Sequence, residues 1–190
     1  MLISCKSKLG EADALSLKDA PLQTVTDMFA VQTKNGKVVM RMEADKVARF
    51  ETDTSSYETF PLGLAVYGYT DEWLLETVII SDDALHETDK RRKDEKWSAF
   101  GNVIIHNVVN QETMETDTIY WDQGTNEIYT DCYVKMYSSD GMMQGYGMRS
   151  DDHARNAILH NPFNSYGVAV QDTTRVVVDS INFIGPFPKK

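Results

Sequence analysis

Hydrophobic and polar residues alternate along most of the chain from Val25 onward, which is the pattern of β-strands that bury one face. In the clearest run, Val38, Met40 and Met42 fall on one face of a strand. This strand follows Asn35-Gly36, a dipeptide that strongly favours a tight hairpin. Polar turns separate the later apolar runs. The predicted strands cover residues 37–42, 62–69, 74–80, 102–109, 119–121, 128–137 and 175–178.

A short phrase recurs along this pattern: an apolar strand that ends in a small residue and an aspartate. The aspartates are Asp45, Asp82, Asp117 and Asp151, at steps of 37, 35 and 34 residues. A near-constant step with changing side chains is typical of stacked repeats. We therefore expect an all-β domain, a single twisted antiparallel β-jelly roll or open roll built from repeats of about 35 residues.

Several strands are apolar or aromatic on both faces. Val103 and Ile105, for example, alternate with Ile104 and Val108. One interpretation is that one face forms the core and amphipathic side chains cover the other. The other is that an interior face forms a groove for an apolar ligand, and methionines suit such a wall because they adapt their shape. The candidate groove residues are Val38, Met40, Met42, Val103, Ile105, Val134 and Met136.

Composition and charge narrow the classes of function. A chain of 190 residues with 42% hydrophobic content can bury one sizeable core. The net charge of −10 argues against nucleic-acid binding, which needs a concentrated basic surface. The one basic run, residues 90–93, is flanked by acidic residues and is predicted to be a solvated hairpin loop; the alternative is a contact for an acidic partner or a phosphorylated headgroup. No apolar stretch approaches the roughly 20 residues of a transmembrane helix.

No catalytic or cofactor motif stands out. The four histidines lack metal-ligand spacing, and no nucleophile elbow, phosphate loop or dinucleotide fingerprint occurs. Asp82-Asp83 and Asp151-Asp152 could bind calcium, but the repeat frame favours turns. The sequence therefore predicts a protein that is not an enzyme and carries no cofactor or metal.

The two cysteines differ in context. Cys132 lies in a strand pattern with Ile128 and Val134 and is predicted to be a small buried hydrophobe. Cys5 follows Leu2-Ile3-Ser4, which fits the lipobox of a bacterial lipoprotein, although an apolar stretch of about 7–15 residues should precede it. We predict lipidation at Cys5, a lipobox-like N-terminus and flexible tether over residues 1–22, a β-jelly-roll domain over 23–184 and a C-terminal tail over 185–190.

Five segments, in order, resemble a signature of the LptC family, the membrane-anchored component of the lipopolysaccharide export bridge. The resemblance covers roughly residues 25 to 170. No single segment is specific, but the ordered set is. The segments are residues 60–64, 97–105, 115–122, 128–131 and 145–151.

The resemblance implies an OstA-like roll whose apolar interior takes the acyl chains of lipopolysaccharide, the lipid A part of the molecule. It implies partners on both sides, the inner-membrane ABC transporter and a neighbouring OstA-like bridge protein, joined by β-strand addition. From the topology of an open roll, we predict the joining edges near residues 25–42 and 142–155. It also implies a periplasmic location with an anchor in the inner membrane. The family commonly anchors by a transmembrane helix, whereas this chain offers Cys5, so the mode of anchoring departs from the pattern.

Two other classes fit the same pattern of strands. One is a structural or adaptor β module with a filled core that binds only protein partners. The other is a carbohydrate-binding jelly roll, which would carry an aromatic platform on its concave face. Cargo in the interior would distinguish the lipid-transport hypothesis from both.

Overall fold

The computed structural model describes residues 20–92 and 94–167, and it confirms the predicted all-β class. Within that part of the chain no helix occurs, and twelve strands form one antiparallel sheet. The strands are β1 (Gln23–Lys34), β2 (Lys37–Glu51), β3 (Ser55–Phe60), β4 (Leu64–Tyr69), β5 (Leu75–Ser81), β6 (Asp83–Asp89), β7 (Glu95–Asn107), β8 (Glu112–Asp122), β9 (Glu127–Ser138), β10 (Gly141–Asp151), β11 (Ile158–Leu159) and β12 (Tyr166–Gly167).

The sheet is a meander folded along a crease that crosses the strands. One edge of β2 pairs with β1 along its length, and the other edge is shared, residues 40–43 pairing with β4 and residues 48–51 with β3. The strand β7 is shared in the same way between β5 and β6. Since β3 pairs with β6 and β4 with β5, the sheet forms two walls, here called the β3–β6 wall and the β4–β5 wall. Each of the long strands β2, β7, β8, β9 and β10 contributes one half to each wall.

Glycine and aspartate make the crease where β5 and β6 meet β7. Gly101 has φ +70°, in the left-handed region that favours glycine. A β-carbon on Gly101 would lie 3.0 Å from a carboxylate oxygen of Asp82. The backbone N–H of Asp82 donates to the Gly101 carbonyl over 3.0 Å, and the Asn102 amide donates to Asp82 Oδ2 over 2.6 Å. The bend is therefore built from local hydrogen bonds and from the absence of a side chain.

The recurring aspartates find a structural explanation in this crease. Asp45 and Asp117 lie where β2 and β8 pass from one wall to the other, and Asp82 lies between β5 and β6 at the same crease. Asp151 does not, because β10 crosses the crease near Gly147 and pairs Asp151 with Glu127 at its end. The step of about 35 residues thus corresponds to every second tier of the meander, in which β3 with β4 and β5 with β6 each count as one tier.

The alternation pattern did not predict strands β3 and β6 or the first half of β7. Their sequences are rich in polar residues, some of which face the interior as pairs. Glu58 of β3 is the strand partner of His86 in β6, and Glu58 Oε2 lies 3.3 Å from His86 Nδ1. A hydrophobic pattern does not reveal strands whose inward positions are filled by such partners.

The two edges of the sheet differ. The outer edge of β10 is covered by residues 158–167, which run back along it through β11, β12 and a hydrogen bond from Phe163 N–H to the Gln144 carbonyl of 2.9 Å. The outer edge of β1 has no partner strand within the described residues. Cys5, the predicted strand 175–178 and the predicted tail lie outside the described residues, so those predictions stay predictions.

Candidate functional site

The two walls face each other across an apolar trough. From the β4–β5 wall, Met40, Met42, Val66 and Ile79 line it; from the β3–β6 wall come Trp97, Ile119 and Trp121. Two adjoining cavities of about 50 and 170 Å³ remain between the walls. Since one water occupies about 30 Å³ of liquid, the smaller cavity holds less than two water molecules. The trough is narrow. The smaller cavity has an almost wholly hydrocarbon lining, and the larger one also contacts Gln32, Thr77, Asp152 and His153.

A loop closes the trough at the end where β8, β9 and β10 lie. Residues 152–157, here called the capping loop, leave the β3–β6 wall after Asp151 and reach the rim of the β4–β5 wall. The Thr77 hydroxyl donates to the His153 carbonyl over 2.9 Å, and the Asn107 amide donates to the Ala154 carbonyl over 3.0 Å. Ala154 itself has no exposed surface and belongs to the core. The capping loop therefore ties the two walls together.

A buried carboxylate holds the capping loop. The side chain of Glu76, 5% exposed, accepts two hydrogen bonds from the Arg155 guanidinium, of 2.6 and 3.0 Å, and lies 3.3 Å from His153 Nδ1. These hydrogen bonds from Arg155 keep the pKa of Glu76 below its usual value of 4.5, although burial acts in the opposite direction. The Glu76–Arg155 ion pair joins the start of β5 to the capping loop after β10, and the two residues are 79 apart in sequence.

An aromatic row crosses the inner face of the β3–β6 wall. His86 and Trp97 are paired across β6 and β7, and their rings stack at 4.2 Å. Trp97 is in turn paired with Trp121 across β7 and β8, with ring centroids 6.5 Å apart. The Phe60 ring, 1% exposed, packs 5.7 Å from Trp97 toward the crease. Indole rings thus form much of one side of the trough.

The candidate groove residues from the sequence divide into two groups. Met40 and Met42 are half-buried and line the cavities, and Val38 is half-buried near the start of β2. Val103, Ile105 and Val134 have no exposed surface and form closed core, with Met136 packed against them. The structure thus brings two of the seven to the cavities, whereas the four from β7 and β9 belong to the capped end.

Sequence reasoning missed the indole side of the trough. Trp97 alternates with Ala99 in one strand and Trp121 with Ile119 in the next. This alternation indicated a shared face, but it did not indicate which wall that face would lie opposite. Cys132 is half-buried and has a free thiol; it lies where β9 crosses the crease, so the regular alternation that predicted its full burial does not hold there. Lys90, Arg91 and Arg92 lie at the turn between β6 and β7.

Neither a cluster of metal ligands nor a membrane-spanning helix occurs among the described residues. No group of three or more His, Cys, Asp or Glu side chains is arranged to hold a metal ion in residues 20–92 and 94–167. In the same residues there is no helix with the length and hydrophobicity needed to cross a bilayer.

A folded antiparallel sheet with an apolar trough between its walls defines the class: a small β-roll protein with an interior suited to hydrocarbon. The family model described as "LptC: Lipopolysaccharide-assembly, LptC-related" matches residues 6–166. The chain belongs to the LptC family, as its ordered sequence segments indicated, and is a component of lipopolysaccharide transport. The family is periplasmic and associated with the inner membrane. No individual curated protein is significantly similar to the chain.

Proposed function

We propose that the chain binds acyl chains of lipopolysaccharide between its two walls and passes them from the inner-membrane ABC transporter to the next bridge protein. In this proposal the chain does not catalyse any reaction of its cargo. In this proposal the domain faces the periplasm, and lipidated Cys5 anchors it to the inner membrane. The trough serves as a sheltered path for chains that water rejects by about 0.8 kcal/mol per methylene.

The observation that carries the proposal is the incomplete packing of the trough beside β2. Met40, Met42, Val66 and Ile79 are half-buried although they face the interior, and a cavity of about 170 Å³ lies against three of them, Met40, Val66 and Ile79. An adaptor with a filled core would have no reason to keep apolar side chains facing an interior cavity. Unbranched methionines let this wall adjust to chains that slide past.

The edge of β1, which has no partner strand within residues 20–92 and 94–167, supports strand addition as the route to a partner. A row of free backbone N–H and C=O groups is a template for another strand. The edge of β10, the second edge predicted from sequence, is occupied by residues 158–167. A partner strand at that end would add beyond those residues or displace them.

Photo-crosslinking in a cell that makes lipopolysaccharide tests the cargo. A photoreactive amino acid at Met42 is expected to capture lipopolysaccharide, whereas one at Ile80 is not. Ile80 lies in β5 next to Ile79 but points to the outer face and is 45% exposed, so it controls for contact with bulk lipid. Folded protein without a crosslink at Met42, or with equal crosslinks at both sites, would favour the adaptor hypothesis.

The same approach tests the partner and the anchor. A photoreactive residue at Thr24 in β1 is expected to capture a neighbouring protein of the bridge, and its failure in cells with active export would remove the β1 edge from the proposal. Cys5→Ser is expected to release the chain from the membrane fraction. Retention of this variant would show that the anchor is not a lipid on Cys5.

A further inference from the structure

Three hydrogen-bond donors on the inner face of the β3–β6 wall have no acceptor among the described residues. They are the indole N–H groups of Trp97 and Trp121 and the hydroxyl of Ser150, and each polar atom is buried. They share one cross-strand row, because Trp97 pairs with Trp121, Trp121 with Ile128, and Ile128 with Ser150. We call these three side chains the donor row.

Unsatisfied donors of this kind are uncommon inside native proteins. Most buried N–H and O–H groups have a partner, since burial without one forfeits the hydrogen bond that water supplied. Here three fall in one row, and both indoles line the trough. A shared cause is simpler than three separate defects: an occupant of the trough supplies the acceptor.

We propose that the donor row binds the oxygen atoms of an acyl chain, its ester or amide carbonyl and any hydroxyl near it, within the trough. This inference rests on the proposed function and deepens it, because it assigns a polar subsite to a wall that otherwise selects only for hydrocarbon. The subsite fixes how deeply a chain enters. The oxygen-bearing end of the chain aligns with the indoles, and the methylenes extend along Met42, Val66 and Ile79.

The lining favours a lipid over a sugar. A saccharide carries a hydroxyl on nearly every carbon, and each would need a partner when buried. The cavity that both indoles line offers side chains such as Leu64, Val66 and Ile119 instead. An occupant with a few oxygen atoms on a long hydrocarbon body matches two indole donors in an apolar trough and a hydroxyl in the same cross-strand row.

Access to the donor row requires the walls to separate. The indole nitrogens are inaccessible to water, and the cavity beside them is about 50 Å³, which is too small for an acyl chain. Opposite the indoles lie Met40 and Met42, whose unbranched side chains can change rotamer at little cost. Binding therefore moves the methionine side of the trough while the strand-paired indole row stays in register.

The three tryptophans of the chain provide the measurement. Trp97 and Trp121 lie in the trough, whereas Trp73 is 64% exposed in a turn and serves as an internal control. The full chain, labelled with ¹⁵N in its indoles, is titrated with 1-tetradecanoyl-lysophosphatidylcholine below its micelle concentration. We expect the Trp97 and Trp121 indole protons to shift downfield as they gain an acceptor, with Trp73 unchanged. The matched probe is 1-O-tetradecyl-lysophosphatidylcholine, an ether with the same headgroup, glycerol and chain length but no carbonyl, and it should leave them without the downfield shift.

Substitution separates the donor from the ring. Trp97→Phe and Trp121→Phe keep an aromatic side chain and remove the N–H, so each should weaken binding of the lysophospholipid about fivefold. The affinity for the matched probe should change only slightly, and by a similar amount, in the two variants. Ser150→Ala removes only a hydroxyl and should weaken the lysophospholipid about twofold, which keeps the test open if a phenylalanine variant fails to fold. Trp73→Phe is the control.

Each outcome decides the matter. Binding of both probes with no selective indole shift, or an equal loss of affinity for both in the variants, overturns the donor row and leaves lipid binding intact. Failure of both probes to bind overturns the donor row together with the proposed function. Indole shifts on adding a glucosamine disaccharide, without shifts on adding the lipid, would transfer the row to a carbohydrate ligand.

Discussion

The two ends of the trough contrast in how they treat apolar side chains. At the capped end, Ile105, Met114 and Val134 have no exposed surface, and Ala154 of the capping loop completes their cluster. At the open end, Met40 and Met42 face the same interior but remain half-buried beside cavities. Both ends come from one folded sheet with the same crease, so the difference does not arise from the fold class. It lies in what covers the side chains: Ala154 of the capping loop packs on the closed cluster, whereas cavities remain beside the methionines, the larger of them reaching Asp152 and His153 of the same loop.

This contrast suggests a division of labour. The capped end stabilises the roll, because its apolar surface is fully removed from water and tightly packed. The open end keeps apolar surface that a cargo can cover. A sheet that devoted both ends to packing would be more stable and would carry nothing, whereas one with two open ends would have little core to hold its walls together.

The largest expected effect tests the contrast directly. Ile105→Ala should lower the free energy of unfolding by about 2–5 kcal/mol, because it leaves a cavity in closed core. Met42→Ala removes a side chain of similar volume but should cost about 1 kcal/mol, since that side chain is only half-buried in the folded chain. Urea unfolding of both variants measures the difference. Equal losses would mean that the two ends are packed alike.

Release of the capping loop is the next effect. Arg155→Met leaves the Glu76 carboxylate buried without its partner, at a cost of about 1–3 kcal/mol, and should accelerate hydrogen exchange in residues 152–157. Arg149→Met is the matched control, because Arg149 forms a single 3.2 Å ion pair with Glu127 on an exposed surface, which is worth about 0–1 kcal/mol. If the two variants exchange alike in the loop, the Glu76–Arg155 pair does not hold it.

Acid should release the same loop with the smallest effect. The pKa of Glu76 is lower in the folded chain than its ordinary 4.5, so its ionised form stabilises the fold. That contribution is complete above about pH 4.5 and disappears as the pH falls through the lower, folded pKa. The difference in unfolding free energy between the natural chain and Glu76→Gln should therefore be constant at neutral pH and shrink below pH 4.5. A difference that does not shrink as the pH falls below 4.5 would assign the stabilisation to something other than this carboxylate.

Local signals in the sequence predicted several of the strands and turns. Asn35-Gly36 predicted the turn between β1 and β2, and alternation around Val38, Met40 and Met42 predicted the strand after it, because backbone conformation at such positions depends mainly on neighbouring residues. The ordered segments were sufficient for the family. The strands Ser55–Phe60 and Asp83–Asp89 were missed because some of their inward-facing side chains are polar and pair with a polar side chain of the neighbouring strand.

The sequence by itself determined that this protein is a β-roll with many apolar side chains on one face of each strand. Only the tertiary structure decided which of them line a trough and which fill a core: Met42 and Ile105 look alike in the pattern. The reason is that alternation specifies the side of a strand, whereas burial depends on what lies across from it, and the crease and the capping loop bring residues as distant as Glu76 and Arg155 together.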